Sequence, residues 1–415
     1  MNTEPNSSGN VPRRTVLKTG AGSAVGGMLA SASLTTAAEK QEANSNVYEV
    51  LGIQPIINAA GTITTLGGSL MPPEVVNAWV SASKQFVNLL ELQDRVGERI
   101  AKLLGVEAAL VTTGAAGGIM VGTAAAVTHR DHELVGKLPL PPDAGLQVIR
   151  QATHRTCYDN QVKASGVRLV DVKSRDELAA AVSDHTVMML SYNFQEGDST
   201  ISRSDWIAAA RKHNIPTLLD AAADTPPLEA LSKYNKLGYD MVVFSGGKAI
   251  RGPQDAGLLL GRKDLIAAAK LNTAPRCGNI GRGLKVSKED MVAMWAAVER
   301  FVTMDHKAEW QMWEARIAVI EDAVKTRPSV RTERIVPPIA NQVPHLLIHW
   351  DENRIGITPA QMKQKLAGGD PSIATARIHG TGDAGFLISV FMLQPDEDRI
   401  VADRVKSILN AALGE

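Results

Sequence analysis

Cysteine is nearly absent: Cys157 and Cys277 are the two in 415 residues. That excludes a disulfide framework, gives no zinc-ligand spacing and leaves one bridge at most. Neither sign of charge prevails, with 44 basic residues against 44 acidic ones. No global field therefore draws the chain to nucleic acid or to a membrane surface. Aromatic side chains make up 4% of the sequence, and with abundant Ala and Gly this suits packed α/β layers better than an all-β fold. No Gly-x-Ser-x-Gly elbow occurs, so a serine nucleophile on that turn is not supported. Beyond the first forty residues no stretch is long and apolar enough to span a bilayer. What the chain does have is length, enough for a large core and two domains.

Residues 1–40 stand apart. Arg13-Arg14 precede a mildly apolar Gly/Ala-rich stretch running to about Leu34, too broken by Gly, Ser and Thr for a stable membrane span. Small residues at Ala30-Ser31-Ala32 and Ala37-Ala38 offer cleavage sites. The segment resembles a twin-arginine export signal, with a disordered basic tail as the alternative. That route moves folded proteins, so the resemblance implies a periplasmic protein exported already folded.

Residues 47–75 read as an extended, glycine-punctuated lead-in, and Pro72 to Leu104 as mostly one helix ending at Gly105, with Phe86, Leu89, Leu90, Ile100, Leu103 and Leu104 at helical spacing. Residues 76–286 form the expected large domain. Its strands are Ala108–Thr112, Leu146–Ile149, Arg168–Val172, Val187–Tyr192, Thr217–Asp220, Met241–Phe244 and Ala256–Leu260, with helices Asp176–Val182 and Ser204–His213 between them. Such alternation predicts a mostly parallel sheet with helices on both faces. A long helix, Ser287–Arg327, carries an apolar stripe including Met291, Met294, Trp295, Val298, Trp310 and Trp313, and Pro328 ends it. That linking segment, 287–328, leads to a small α+β domain, 329–415, with strands His345–His349, Ala374–Ile378 and Phe386–Val390 and a closing helix Asp396–Leu413.

Three stretches carry chemistry. Lys248 sits behind Gly246-Gly247 in a turn between two apolar strands, where small residues let a ligand approach the backbone. It is a candidate Schiff-base lysine, against the alternative of a solvated turn residue. Thr113-Gly114-Ala115-Ala116-Gly117-Gly118 joins a strand to a small-residue helix, and such a turn cradles phosphate with its N–H groups and the helix dipole. Many strand-to-helix turns look like this. Asp220 ends an apolar strand, and a partly buried carboxylate there needs a partner. A protonated pyridine nitrogen is one such partner; a turn cap is the alternative, which fits Asp224 as well. In open sheets ligands bind beyond the carboxyl ends of the strands, which puts all three stretches on one rim.

A phosphate cradle, then a strand-end Asp, then a Lys after a further strand is the order of the aminotransferase-like, fold type I enzymes that use pyridoxal 5'-phosphate (PLP). The chain resembles the selenocysteine-synthase-like PLP enzymes, and within them the D-glucosaminate-6-phosphate ammonia-lyase group. The resemblance is carried by Ile57-Asn58-Ala59-Ala60-Gly61-Thr62, Thr112 to Gly118, Leu219-Asp220-Ala221-Ala222-Ala223 and Phe244-Ser245-Gly246-Gly247-Lys248 with Gly252-Pro253-Gln254. It covers about Val47 to the C-terminus.

The resemblance implies that Lys248 forms the internal aldimine and that Asp220 holds the pyridinium proton. Thr113, Gly114, Ala115 and Ala116, with Ser245, would bind the phosphate. His154 would lie over the ring face, with a core or capping histidine as the alternative. Arg377 would take the substrate carboxylate through its bidentate fork, a surface salt bridge being the competitor; Thr62 is counted with the substrate. A small amino acid would then react at Cα and Cβ through an external aldimine and a quinonoid, most simply as an ammonia-lyase or β-elimination. Racemisation and amino transfer are the alternatives. A homodimer or higher homo-oligomer is implied. Selenium transfer to a tRNA is rejected, because there is no basic patch and no added RNA-binding module.

Other chemistries fare worse. A dehydrogenase reading of Thr113–Ile119 lacks a further glycine where Met120 stands, and no Tyr is followed by Lys four residues later. Neither His345/His349 nor His129/His132 comes with a carboxylate at ligand-like spacing, so no metal site is expected. A non-catalytic protein on the same fold would have lost Lys248 or Asp220, and both are present.

Overall fold

The computed structural model describes residues 46–327, 329–376 and 385–414. The twin-arginine segment, Pro328 and Arg377 lie outside the described residues. The chain divides at Pro55 into two units. In the first, Asn46 caps a single helical turn, Val47–Val50, by accepting the Tyr48 N–H at 3.1 Å. The lead-in therefore opens on a helical turn and not on extended chain.

Among the described residues of the second unit twelve strands follow in order: β1 (Ile56–Ala59), β2 (Ala108–Thr113), β3 (Gln147–Gln151), β4 (Arg168–Val172), β5 (Thr186–Tyr192), β6 (Thr217–Asp220), β7 (Met241–Ser245), β8 (Ala256–Gly261), β9 (Val330–Ile335), β10 (His345–Trp350), β11 (Ser372–Thr375) and β12 (Phe386–Ser389). Strands β2 to β8 make one sheet in the order β2-β8-β7-β6-β5-β3-β4. Its strand pairs are parallel except the two made by β8. The central strands are continuous apolar runs because both faces are covered. Ile149, Met189, Leu219, Val242 and Leu260 face one core, and Val148, Leu190, Leu218, Val243 and Leu259 the other.

The helix Gly114–Thr128 packs on that second face, and nearly every residue of it is buried. Small side chains let it lie close. A Cβ at Gly118 would stand 2.8 Å from Val243 Cγ1. Close packing holds the N-terminus of this helix at the carboxyl edge of the sheet.

The two long helices of the sequence reading are each broken. Pro72–Leu104 becomes Pro73–Ser83 and Leu89–Leu104, because Asn88 caps the second segment by accepting from the Leu90 and Glu91 N–H groups. Phe86, expected in the buried stripe, lies in the break and is fully exposed. Ser287–Arg327 becomes Lys288–Thr303 and His306–Val324, with Asp305 capping the second by accepting from Ala308 N–H at 2.9 Å. The break has a use in packing. Met291, Met294 and Val298 serve the large core, while Trp313, Ile317 and Ile320 serve the small one.

The small core is built on the antiparallel sheet β12-β10-β9, the closing helix Glu397–Leu413 and the pair β1-β11. β1 runs parallel to β11, with Ile57 opposite Ile373, and buries Ile57 and Ala59 in that core. The segment before the large domain is thereby fastened to the C-terminal part of the chain. Both cysteines are free and exposed. Among the described residues no helix is long and apolar enough to cross a membrane.

Candidate active site

Register alone brings three functional segments to one rim. Thr113 ends β2 opposite Ala256, and Ser245 ends β7 opposite Gly257, so two adjacent residues of β8 join them. Asp220 ends β6 opposite Val243. Beyond the strand ends, Ser245 N–H donates to Ala222 O at 3.2 Å and stitches the Asp220 turn to the Lys248 turn.

The lysine turn, residues 245–254, is rigidly tied. Gly246 N–H donates to Ala256 O at 2.8 Å, Gly252 N–H to Gly246 O at 2.8 Å and Arg251 N–H to Lys248 O at 2.9 Å. Its far side is pinned to the segment after β1: Gln254 Nε2 donates to Thr64 O at 2.8 Å, and Arg251 Nε to Leu70 O at 2.9 Å. A Cβ at Gly247 would lie 2.4 Å from Gln254 Cα, so only glycine lets the turn fold back on itself. This explains the Gly246-Gly247-Lys248 and Gly252-Pro253-Gln254 motifs as one structure.

Asp220 is 4% exposed, and its Oδ1 accepts the Ala222 N–H at 2.9 Å. Burial pushes its carboxyl up to about 6, opposed by that N–H and by the Lys248 charge, with Asp224 adding to the rise. Lys248 shows the reciprocal effect. Burial lowers its pKa, while Asp220 and then Asp224 raise it. A half-buried lysine and a buried carboxylate thus stand in each other's field. At Thr113, directly before the helix Gly114–Thr128, the Oγ1 is buried and has no hydrogen-bond partner among the described residues. An orphaned hydroxyl at a helix N-terminus and a strand-end carboxylate with a single donor fit a ligand that brings a phosphate and a protonated ring nitrogen.

His154 and Thr62 are placed differently. His154 ends a 3-10 turn, Ala152–His154, and is 0% exposed. Its Nδ1 accepts the Tyr192 N–H at 3.2 Å and its Nε2 lies 2.9 Å from Ser199 Oγ, with the pKa lowered by burial. Both ring nitrogens are engaged and no face is open, which is the geometry of the packed-histidine alternative. Thr62 Oγ1 donates to Asn341 Oδ1 at 3.4 Å, and Asn341 N–H donates to Ala223 O at 2.7 Å, so Thr62 is linked through one residue to the Asp220 turn. Sequence reasoning missed Asn193 and Tyr234, which both donate to Asp224 Oδ2 in the interior. From the sequence Asp224 reads only as a turn cap; nothing there says that residues 31 and 10 positions away converge on it.

The sheet order and the separate small sheet are those of a fold type I PLP enzyme, with a mostly parallel large domain and a small antiparallel one. No family model matches the chain. Among known proteins it is similar to D-glucosaminate-6-phosphate ammonia lyase of Salmonella typhimurium, at 28% identity over 385 residues, covering 89% of this chain and 97% of that protein. It is also similar to 5'-C-glycyluridine monooxygenase-decarboxylase of Streptomyces sp, at 25% over 378 residues, covering 87% and 92%. L-seryl-tRNA(Sec) selenium transferase of Moorella thermoacetica matches at 24% over 303 residues, covering 65% and 60%. Among solved structures, D-glucosaminate-6-phosphate ammonia-lyase aligns with a TM-score of 0.76 at 26% identity, covering 89% and 99%. Serine palmitoyltransferase of S. paucimobilis with bound PLP shares the fold, with a TM-score of 0.52 at 15% identity over 86% and 88%. The chain thus resembles the selenocysteine-synthase-like PLP enzymes, and among them the ammonia-lyase group.

Proposed function

We propose that this protein is a PLP-dependent lyase that acts at Cα and Cβ of a small amino acid and releases ammonia. The observation that carries the reading is the half-buried Lys248 in the field of buried Asp220, on the rim that also holds the Thr113 turn. Bound PLP supplies the electron sink for charge left at Cα. Asp220 holds the proton at the ring nitrogen. The N–H groups of residues 113–116, Thr113 Oγ1 and Ser245 take the phosphate, helped by the helix dipole. Lys248 anchors the cofactor, and once released by substrate it removes the Cα proton and returns one to the product. Its lowered pKa leaves more of the amine neutral and able to act as base. Arg377 is assigned to the substrate carboxylate, and Thr62 to the substrate side of the site.

Ammonia release is favoured by the relative whose name states that reaction and whose length the chain nearly spans. A second relative named for decarboxylation indicates that the scaffold carries other chemistry at Cα. Incubation with L- and D-amino acids tests the reading: a keto acid with stoichiometric ammonia is expected. Stereoinversion or amino transfer without ammonia would replace it with racemase or aminotransferase activity. Arg13-Arg14 support export to the periplasm, which fractionation of the wild type against Arg13→Lys/Arg14→Lys would test. A homodimer is supported by the apolar side chains of Trp79, Val80, Phe86 and Val87, exposed within a dozen residues.

A further inference from the structure

A cavity of about 750 Å³ lies at the β3–β4 end of the large sheet. That volume is within the range of small-molecule sites. No residue of the Lys248 turn or the Thr113 turn lines it, and neither does Asp220. The sheet order is β6-β5-β3-β4, so β4 stands three strand spacings, roughly 14 Å, from the strand that ends in Asp220.

Register builds the floor of this cavity. Arg150 of β3 stands opposite Asp171 of β4, each two residues on from Val148 and Leu169, which face the same core. The helix Asp159–Lys163 and the segment 140–146 wall that floor. Leu140 N–H donates to Ser165 O at 3.2 Å, and a Cβ at Gly166 would overlap Leu140 O. Glycine at 166 is what lets the segment close on the entry to β4. Leu140, Leu146, Val167 and Leu169 give the cavity an apolar wall.

Its charged lining is unequal: Arg150, Arg155, Lys163 and Arg168 against Asp159 and Asp171. Both acids are spent on two of the arginines. Asp171 accepts from Arg150 Nε at 2.8 Å on one oxygen and from Arg155 Nε at 2.9 Å on the other. Asp159 accepts from Arg150 NH1. Arg150 is 4% exposed, and its NH2 has no acceptor among the described residues. Arg168 donates to the neutral Gln147 Oε1 at 2.7 Å, which turns that guanidinium toward β3. Lys163 lies one helical turn after Asp159, on the same side of its helix. Its Nζ has no ion-pair or hydrogen-bond partner among the described residues. An ammonium without a counter-charge thus stands beside a buried guanidinium with donors unused, over an apolar wall.

We propose that this cavity binds a small amphiphilic anion, a carboxylate or phosphate head on an apolar body. Lys163 and the NH2 of Arg150 take the head, since ammonium and guanidinium both bind oxyanions and a buried fork orients them. Leu140, Leu146 and Leu169 cover the body, which supplies the affinity that an exposed lysine alone would not.

Calorimetry on the protein saturated with PLP tests it, with benzoate and phenyl phosphate as probes. One molecule per chain should bind, and more weakly as salt is raised. Lys163→Glu turns attraction into repulsion at an exposed position and should weaken binding about tenfold or more, while Lys163→Arg should keep it. The reversal leaves the Thr113 cradle intact, so a probe seated there would bind Lys163→Glu as it binds the wild type. That result would overturn the proposal, whether or not the protein takes up PLP. Two others would do the same: no binding of either anion, or equal binding of neutral benzyl alcohol. Comparison of the two anions then assigns the head group, the tighter binder carrying the natural one.

Discussion

Asp220 ends β6 with one backbone donor and a carboxyl pushed up to about 6 from a reference of 3.8. The folded apoprotein holds this proton more tightly than the unfolded chain does. Its stabilising contribution is complete below pH 3.8 and is lost as pH rises through about 6. At pH 8 the buried charge costs the apoprotein about 3 kcal/mol. Asp220→Asn should therefore make the apoprotein more stable at pH 8 and flatten its stability between pH 4 and 6, as read by denaturant titration. The same variant should lower turnover of the loaded enzyme by about two orders of magnitude, since the ring nitrogen loses its fixed counter-charge. An apoprotein destabilised by the substitution would show that Asp220 serves the fold and not the cofactor.

At the scale of elements, the turn between β7 and β8 is the least forgiving. Gly247→Ala drives a Cβ into the Gln254 backbone, which is held by Gln254 Nε2 on Thr64 O. The variant should keep its fold, lose about 1–3 kcal/mol to overpacking, and bind PLP more weakly in an equilibrium absorbance titration. Unchanged affinity would mean that the turn is not the lysine's support. This turn was legible in the sequence because Gly, Lys and the flanking apolar runs lie together. So were β5, β6, β7 and β8, whose short buried strands are mostly apolar runs. The helix breaks at Asn88 and Asp305 were not: apolar spacing continued across each one, and a cap is decided by one side chain meeting one or two N–H groups. The Asp224 cluster was illegible for another reason. Its partners come from separate elements, and only the folded chain brings them to one oxygen.

At the scale of the whole molecule, β1 crosses from the start of the chain to pair with β11, and residues 64–70 then reach the lysine turn. The site is thus braced from the large sheet, the N-terminal segment and the loop at Asn341 together. Next to that brace, Trp79, Val80, Phe86 and Val87 are left exposed. Phe86→Glu touches no packed neighbour and should leave the fold intact while shifting gel filtration from dimer to monomer. A wild type that elutes as a monomer would remove the homodimer from the account. The central claim is that the Lys248 amine, the Asp220 carboxylate and the Thr113 turn converge on one cofactor. Borohydride reduction of the PLP-treated protein, followed by peptide mapping, tests it most directly. A yellow protein whose label is fixed on the peptide containing Lys248 is the predicted result; a protein that stays colourless, or a label fixed on another lysine, would contradict it.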